Sequence, residues 1–142
     1  MKRITVLLAD DNKIVRKEFR KILELEADLE VVGEAKDGRL AVSMAIKLLP
    51  GVVLMDITMP NLNGLEATRQ ILKAFPAIKV LMISVHSEDV YVNEAINSGA
   101  TGYLIKHTSA ESVCAAIRAV HEGKRFFSPS IRPPFWRTES KR

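Results

Sequence analysis

Cysteine is nearly missing from this chain of 142 residues: Cys114 stands alone. One thiol cannot build an internal disulfide framework, and such usage fits a reducing cytoplasm, where the chain is expected to reside. Aromatic residues make up only 6%, so a core must come from Val, Ile, Leu, Met and Ala, with little help from large rings. No uninterrupted apolar run approaches the roughly 20 residues that cross a bilayer, and no membrane partner is expected. The opening Met1-Lys2-Arg3 leads into a short apolar run that closes on two aspartates instead of a small-residue cleavage site, so no secretory leader is expected. His86, His107 and His121 keep no tight ligand spacing with Cys114, which argues against zinc.

What charge there is lies unevenly. The net charge is +4, but residues 123–142 hold six Lys and Arg against one Glu, a surplus of +5 that leaves the preceding residues at −1. A basic nucleic-acid-binding surface on the body is therefore not indicated.

The body reads as five strand-then-helix units. Short runs rich in branched residues mark the strands: Ile4–Ala9, Glu30–Ala35, Val52–Met55, Val80–Ser84 and Gly102–Ile105. The first, third and fourth are almost continuously apolar, as suits parallel strands covered on both faces. Between them, Val15, Phe19, Ile22 and Leu23 share one helical face, as do Val113, Ala116, Ile117 and Val120. Thr108 with Glu111 reads as a capping box, Asn63 with Glu66 resembles one, and Ser87 is placed to cap the fourth helix. Alternation of this kind predicts an α/β three-layer sandwich with helices on both faces of a parallel sheet. After about Phe127 the pattern stops, and Pro133-Pro134 among basic residues reads as a linker or flexible tail over 126–142, leaving 1–125 as the domain.

Ligands of open parallel sheets bind beyond the carboxyl ends of the strands. Asp10-Asp11 follow the first strand here, Asp56 the third, Ser84 ends the fourth and Lys106 follows the fifth. Three carboxylates gathered on one edge repel and call for a cation, and oxygen ligands favour a hard divalent ion such as Mg²⁺. Lys106 and Ser84 add an amine and a hydroxyl suited to phosphoryl oxygens, beside a carboxylate able to act as nucleophile. Each residue also has an ordinary reading. Asp10-Asp11 can cap the first helix, Ser84 can cap a strand end, Lys106 can be a solvated lysine, and Tyr103 can be core.

Taken in order, Asp-Asp after the first strand, Leu-Met-Asp-Ile-Thr-Met-Pro around Asp56, the downstream Asn-Gly, Ser84 and Gly-Tyr-Leu-Ile-Lys resemble the receiver domain of bacterial two-component response regulators over residues 3 to about 122. The segment from Gly-Tyr-Leu-Ile-Lys through Ala-Ile-Arg-Ala-Val-His-Glu-Gly to Phe-Phe-Ser-Pro is most similar to the NarL/FixJ subfamily. The resemblance implies a flavodoxin-like (βα)5 fold with a five-stranded parallel sheet in the order 2-1-3-4-5. It implies that Asp56 accepts a phosphoryl group from a sensor histidine kinase or phosphotransfer protein. Asp11, Asp56 and the Thr58 carbonyl would ligate Mg²⁺ (Mn²⁺ can substitute), with Asp10 acting mainly through a metal-bound water. Ser84 and Lys106 would hold the phosphoryl oxygens, and Tyr103 would serve as an aromatic switch. Thr58 and His86 would, as the resemblance implies, occupy positions that in this family tune the lifetime of the aspartyl phosphate. A homodimer on phosphorylation and transcriptional control through a LuxR-type output domain complete what it implies.

Two departures from the family pattern matter. His107 stands where many receivers carry a proline after a cis bond; a non-proline cis bond costs about 3 kcal/mol, so a trans bond or an altered loop is expected. A helix-turn-helix output domain needs roughly 60 residues, by the length of three or four ordinary helices, and too few follow the last helix. The chain is thus expected to contact DNA only through a domain it does not include, with a stand-alone receiver acting by protein contact or as a phosphate sink as the alternative. A phosphatase with an Asp nucleophile typically places an acid two residues later; Thr58 is there instead. The basic tail alone would bind DNA weakly and with strong salt dependence.

Overall fold

Strands and helices alternate along the chain as the apolar pattern predicts. The computed structural model describes residues 2–131. The elements are β1 (Ile4–Ala9), α1 (Lys13–Glu24), β2 (Leu29–Ala35), α2 (Gly38–Leu48), β3 (Val52–Asp56), α3 (Gly64–Ala74), β4 (Lys79–Ser84), α4 (Asp89–Ser98), β5 (Gly102–Ile105), α5 (Ala110–His121) and β6 (Phe126–Phe127). All neighbouring strands are parallel, in the order β2-β1-β3-β4-β5-β6. The first five strands keep the expected order 2-1-3-4-5, and a sixth is added beside β5. Two residues are too few to show any periodicity, so β6 leaves no strand signal in the sequence.

The sheet separates two cores because successive side chains point to opposite faces. Leu7, Val53, Met55, Val80, Met82 and Tyr103 meet Ala41, Ala45, Ala67, Ile71, Val92 and Ala95 from α2, α3 and α4. On the other face, Val6, Leu8, Leu54, Leu81, Ile83 and Leu104 meet Leu23 of α1 and Val113, Ala116, Ile117 and Val120 of α5. β3 is buried at every residue, as its unbroken apolar run requires. Among the described residues no helix is long and apolar enough to cross a membrane.

Helix starts follow the sequence in part. Asn63 caps α3 by accepting the Glu66 amide. For α5 the cap is Ser109, whose hydroxyl accepts the Ser112 amide at 3.1 Å, not Thr108. For α4 the cap position falls on Glu88 without a side-chain bond, so Ser87 does not cap it. Residues past β6 continue onto the body: the Ser128 amide donates to the Tyr103 carbonyl, its hydroxyl accepts the Ile105 amide at 2.9 Å, and Ile131 is buried. Residues 132–142, the larger part of the expected tail, lie outside the described residues.

Candidate functional site

β1 and β3 are adjacent, and Ala9 pairs with Met55, so the residues that follow each, Asp10 and Asp56, emerge side by side. β4 runs along the other side of β3 with Ile83 opposite Asp56, and Ser84 sits opposite Ile105 of β5. The parallel register therefore delivers Asp10, Asp11, Asp56, Ser84 and Lys106 to one edge of the sheet. α1 does not consume the paired acids as caps. Asn12 does that work, its side-chain oxygen accepting the Ile14 and Val15 amides at 2.9 and 3.2 Å.

Asp10, Asp11 and Asp56 each bring a carboxylate oxygen within 4.8 Å of the others. Asp10 and Asp56 are almost fully buried while Asp11 is exposed, so the cluster opens to solvent on one side. The Lys106 ammonium bridges the two buried acids, at 3.0 Å from Asp10 Oδ2 and 3.3 Å from Asp56 Oδ2. Burial alone works to lower the Lys106 pKa, but its pairing with Asp10 and the charge of Asp56 outweigh it and hold the amine above its ordinary value. Burial, with the Asp10 charge added, pushes the Asp56 carboxyl from 3.8 up to about 6 against the pull of Lys106. One amine therefore does not balance the acids. Asp10 Oδ2 meets the Lys106 charge but takes no well-directed hydrogen bond. Buried acceptor capacity beside three carboxylates is what a hard, oxygen-seeking divalent cation fills, and this donor set fits Mg²⁺.

The remaining expected residues gather on the β4–α4 side. Ser84 is buried, and its hydroxyl oxygen accepts the His86 amide at 3.1 Å. Tyr103 is fully buried, its hydroxyl donating to the His86 carbonyl at 2.7 Å, and burial raises the phenol's pKa. Core packing and contact with the β4–α4 loop thus hold together for Tyr103. The His86 ring stacks on Tyr91 of α4, with centroids 4.0 Å apart and planes 9° from parallel. Thr58 is exposed at the mouth of the cluster, and its amide lies 3.4 Å from Asp56 Oδ1. Among the described residues every peptide bond is trans, so Lys106-His107 is trans. His107 takes a left-handed φ of 74°, inside a turn closed by the Thr108 amide on the Ile105 carbonyl. That altered loop replaces the geometry a proline would impose.

The motif Asn63-Gly64 did not show what its glycine does, and the role of Arg16 left no trace in the pattern. Gly64 lies directly against the Asp56 carbonyl, where any Cβ would overlap that oxygen. Arg16 reaches back from α1 to the Asp10 carbonyl, with Nη1 donating at 2.7 Å and Nε pairing with Glu34 Oε1 at 3.0 Å. Glu34 sits on the neighbouring strand, so no spacing in the sequence announces the pair.

A parallel α/β sandwich with an acidic, amine-capped rim beyond its strand ends defines a class of domains built to handle a cation and an anionic group together. Residues 6–118 match the response regulator receiver domain family, and the chain belongs to it. It is 37% identical over 129 residues to the transcriptional regulatory protein DegU of Brevibacillus brevis, covering 91% of this chain and 55% of that protein. It is 40% identical over 128 residues to the response regulator VraR of Staphylococcus epidermidis, covering 90% of this chain and 61% of that one. A solved two-component response regulator of the LuxR family from an Aurantimonas species superposes with a TM-score of 0.87 at 33% identity, covering 92% of this chain and 93% of that one. The chain spans little more than half the length of the curated relatives it matches.

Proposed function

We propose that the chain is the phosphoacceptor part of a two-component transcriptional regulator, acting in the cytoplasm, with Asp56 as the residue phosphorylated. The observation that carries this reading is the Asp10–Asp11–Asp56 cluster with Lys106 lodged between its two buried members. A carboxylate oxygen of Asp56 attacks the phosphorus of a phosphohistidine on a sensor kinase or phosphotransfer protein. The oxygen–phosphorus bond forms as the phosphorus–nitrogen bond breaks, and the imidazole leaves with the electron pair. Asp10, Asp11, Asp56 and the Thr58 carbonyl are the groups that would hold Mg²⁺, or Mn²⁺ in its place. The cation supplies charge neutralisation to the incoming phosphoryl oxygens.

The chain's own residues do the rest. Lys106 exchanges part of its pairing with Asp56 for a phosphoryl oxygen, keeping its charge in place. Ser84, whose oxygen accepts the His86 amide, donates its hydroxyl proton to a phosphoryl oxygen. Tyr103, already inside with its hydroxyl on the His86 carbonyl, ties any movement of Ser84 and its loop to the α4–β5 surface, which is the switch. Homodimer formation and DNA contact through a further domain belong to the same reading, the second supported by a relative named as a transcriptional regulatory protein.

Incubation with acetyl phosphate and Mg²⁺, followed by intact mass measurement, tests the proposal. The expected result is one persistent phosphoryl group on the wild-type chain and none on Asp56→Asn. Full-yield labelling of Asp56→Asn sinks it.

A further inference from the structure

We propose that Arg16, anchored by Glu34, is a positioning residue of the metal site: it locks the Asp10–Asp11 peptide so that both carboxylates stay gathered with Asp56. The inference rests on the metal reading above and adds a residue to it. Asp10 is held through its amide, its carbonyl and one carboxylate oxygen, while its other carboxylate oxygen faces Lys106. Its amide donates to the Ala35 carbonyl at 3.0 Å, and its Oδ1 accepts the Asn12 amide at 2.8 Å. Its Oδ2 meets Lys106, and its carbonyl accepts Arg16 Nη1 at 2.7 Å. That carbonyl belongs to the peptide that carries Asp11. Among the described residues no side-chain hydrogen bond or ion pair holds the Asp11 carboxylate itself. The backbone therefore sets where this side chain starts, and a rotation of this peptide swings it away from the cluster.

Arg16 is built to resist that rotation. Only 13% of its side chain is exposed, and its guanidinium is held on the far side by Glu34. Glu34 is fixed in turn by Arg20 at 2.7 Å, and Arg20 also pairs with Glu24. The planar fork of an arginine can satisfy a carbonyl and a carboxylate at once. Charge alone makes the opposite demand: a fixed cation beside a divalent site weakens binding of the ion. Deleting Arg16 should thus tighten Mg²⁺ binding if only its charge mattered, and loosen it if it orients the ligands.

Mg²⁺ dissociation constants of the full chain, measured by titration calorimetry with folding checked by circular dichroism, decide between the two. Arg16→Met is expected to raise the constant about tenfold, the scale at which groups that orient metal ligands act. Arg20→Met removes the same charge from the same Glu34 without touching Asp10, and should stay within about twofold of wild type. Arg16→Lys, which keeps one reach to the carbonyl, should fall between them. The deficit of Arg16→Met in acetyl phosphate labelling should disappear at saturating Mg²⁺, a change in the Mg²⁺ requirement and not in the maximal rate. An Arg16→Met chain that binds Mg²⁺ as well as wild type, or better, overturns the proposal. If Arg16→Met does not fold, Glu34→Gln substitutes for it: a raised constant supports the inference and an unchanged one overturns it. A wild-type chain that takes no Mg²⁺ at all removes the metal reading, and this one with it.

Discussion

The Asp56 carboxylate is held at a cost that the metal-free fold cannot offset. Its folded pKa of about 6 stands above the ordinary 3.8, with burial as the first cause. A raised acid pKa contributes stability that is complete below the unfolded value and is lost as pH rises through the folded one. In chelator near pH 7.5 the ionised group therefore destabilises the domain, and Asp56→Asn should melt a few degrees higher, a gain of ~1–2 kcal/mol after allowing for water at the open rim. The difference should vanish near pH 4, and Mg²⁺ should narrow it at the higher pH by stabilising only the wild type. Melting curves with and without Mg²⁺ at both pH values give the answer; a less stable Asp56→Asn in chelator near pH 7.5 contradicts the charge balance. Thr58 is exposed with its amide beside the same carboxylate, and His86 stacks on Tyr91 with its amide on Ser84. Both are expected to set the access of the attacking water, so phosphate loss followed by mass in Thr58→Asn and His86→Ala should depart from the wild-type rate in at least one. Equal decay in all three chains rules out that role. Thr58 and His86 came only from the family resemblance. Asp10, Asp11, Asp56, Ser84 and Lys106 were legible because each ends or follows a strand, and parallel strands deliver their ends to one edge. Arg16 was not, because its partners are a backbone carbonyl and a glutamate of a different strand, and neither leaves a period.

At the scale of the element, α3 is set by how near its first residue comes to β3. Gly64 caps the turn with its amide on the Ile57 carbonyl at 2.7 Å, and its missing side chain lets that turn close over the Asp56 carbonyl. The Asn63-Gly64 pair was readable as a cap and a motif, but its purpose shows only in three dimensions, as a space no Cβ can share. Gly64→Ala should force α3 away from β3, costing about 2 kcal/mol of stability by overpacking and slowing phosphorylation by displacing Asp56. Denaturant unfolding and acetyl phosphate labelling of the variant measure both; a Gly64→Ala chain equal to wild type in each shows that the loop yields freely. The caps of α4 and α5 teach the converse. Thr108 with Glu111 fitted the capping pattern, yet the turn through His107 carries the chain one residue further, so that Ser109 faces the orphan amides instead. Local pattern names the neighbourhood of a helix start, and the preceding turn decides which hydroxyl fills it.

The whole molecule has its least legible boundary at its last described strand. Five strands and both cores follow from alternation of apolar runs and helical faces, but residues 126–131 lack any such period and read as the start of a linker. In the folded chain they close the β5 edge. Phe126 and Phe127 pair with Gly102 and Tyr103, Ser128 bonds to both Tyr103 and Ile105, and Ile131 is only 5% exposed in the core on the α2–α4 face. Ending the chain after Arg125 would leave the amide of Ile105 and the carbonyl of Tyr103 without their partners, next to Lys106, and would uncover apolar surface. Lost hydrogen bonds at about 1 kcal/mol each and one buried isoleucine at about 2 kcal/mol put the cost at several kcal/mol, a large share of a domain's net stability. A chain ending at residue 125 should therefore unfold at a denaturant midpoint well below that of one ending at residue 131. Because Tyr103 and Lys106 lie at either end of the loosened strand, the shorter chain should also label more slowly with acetyl phosphate. Equal midpoints for the two truncations would mean that β6 merely rests on the edge, and that the folded unit stops where the alternation does.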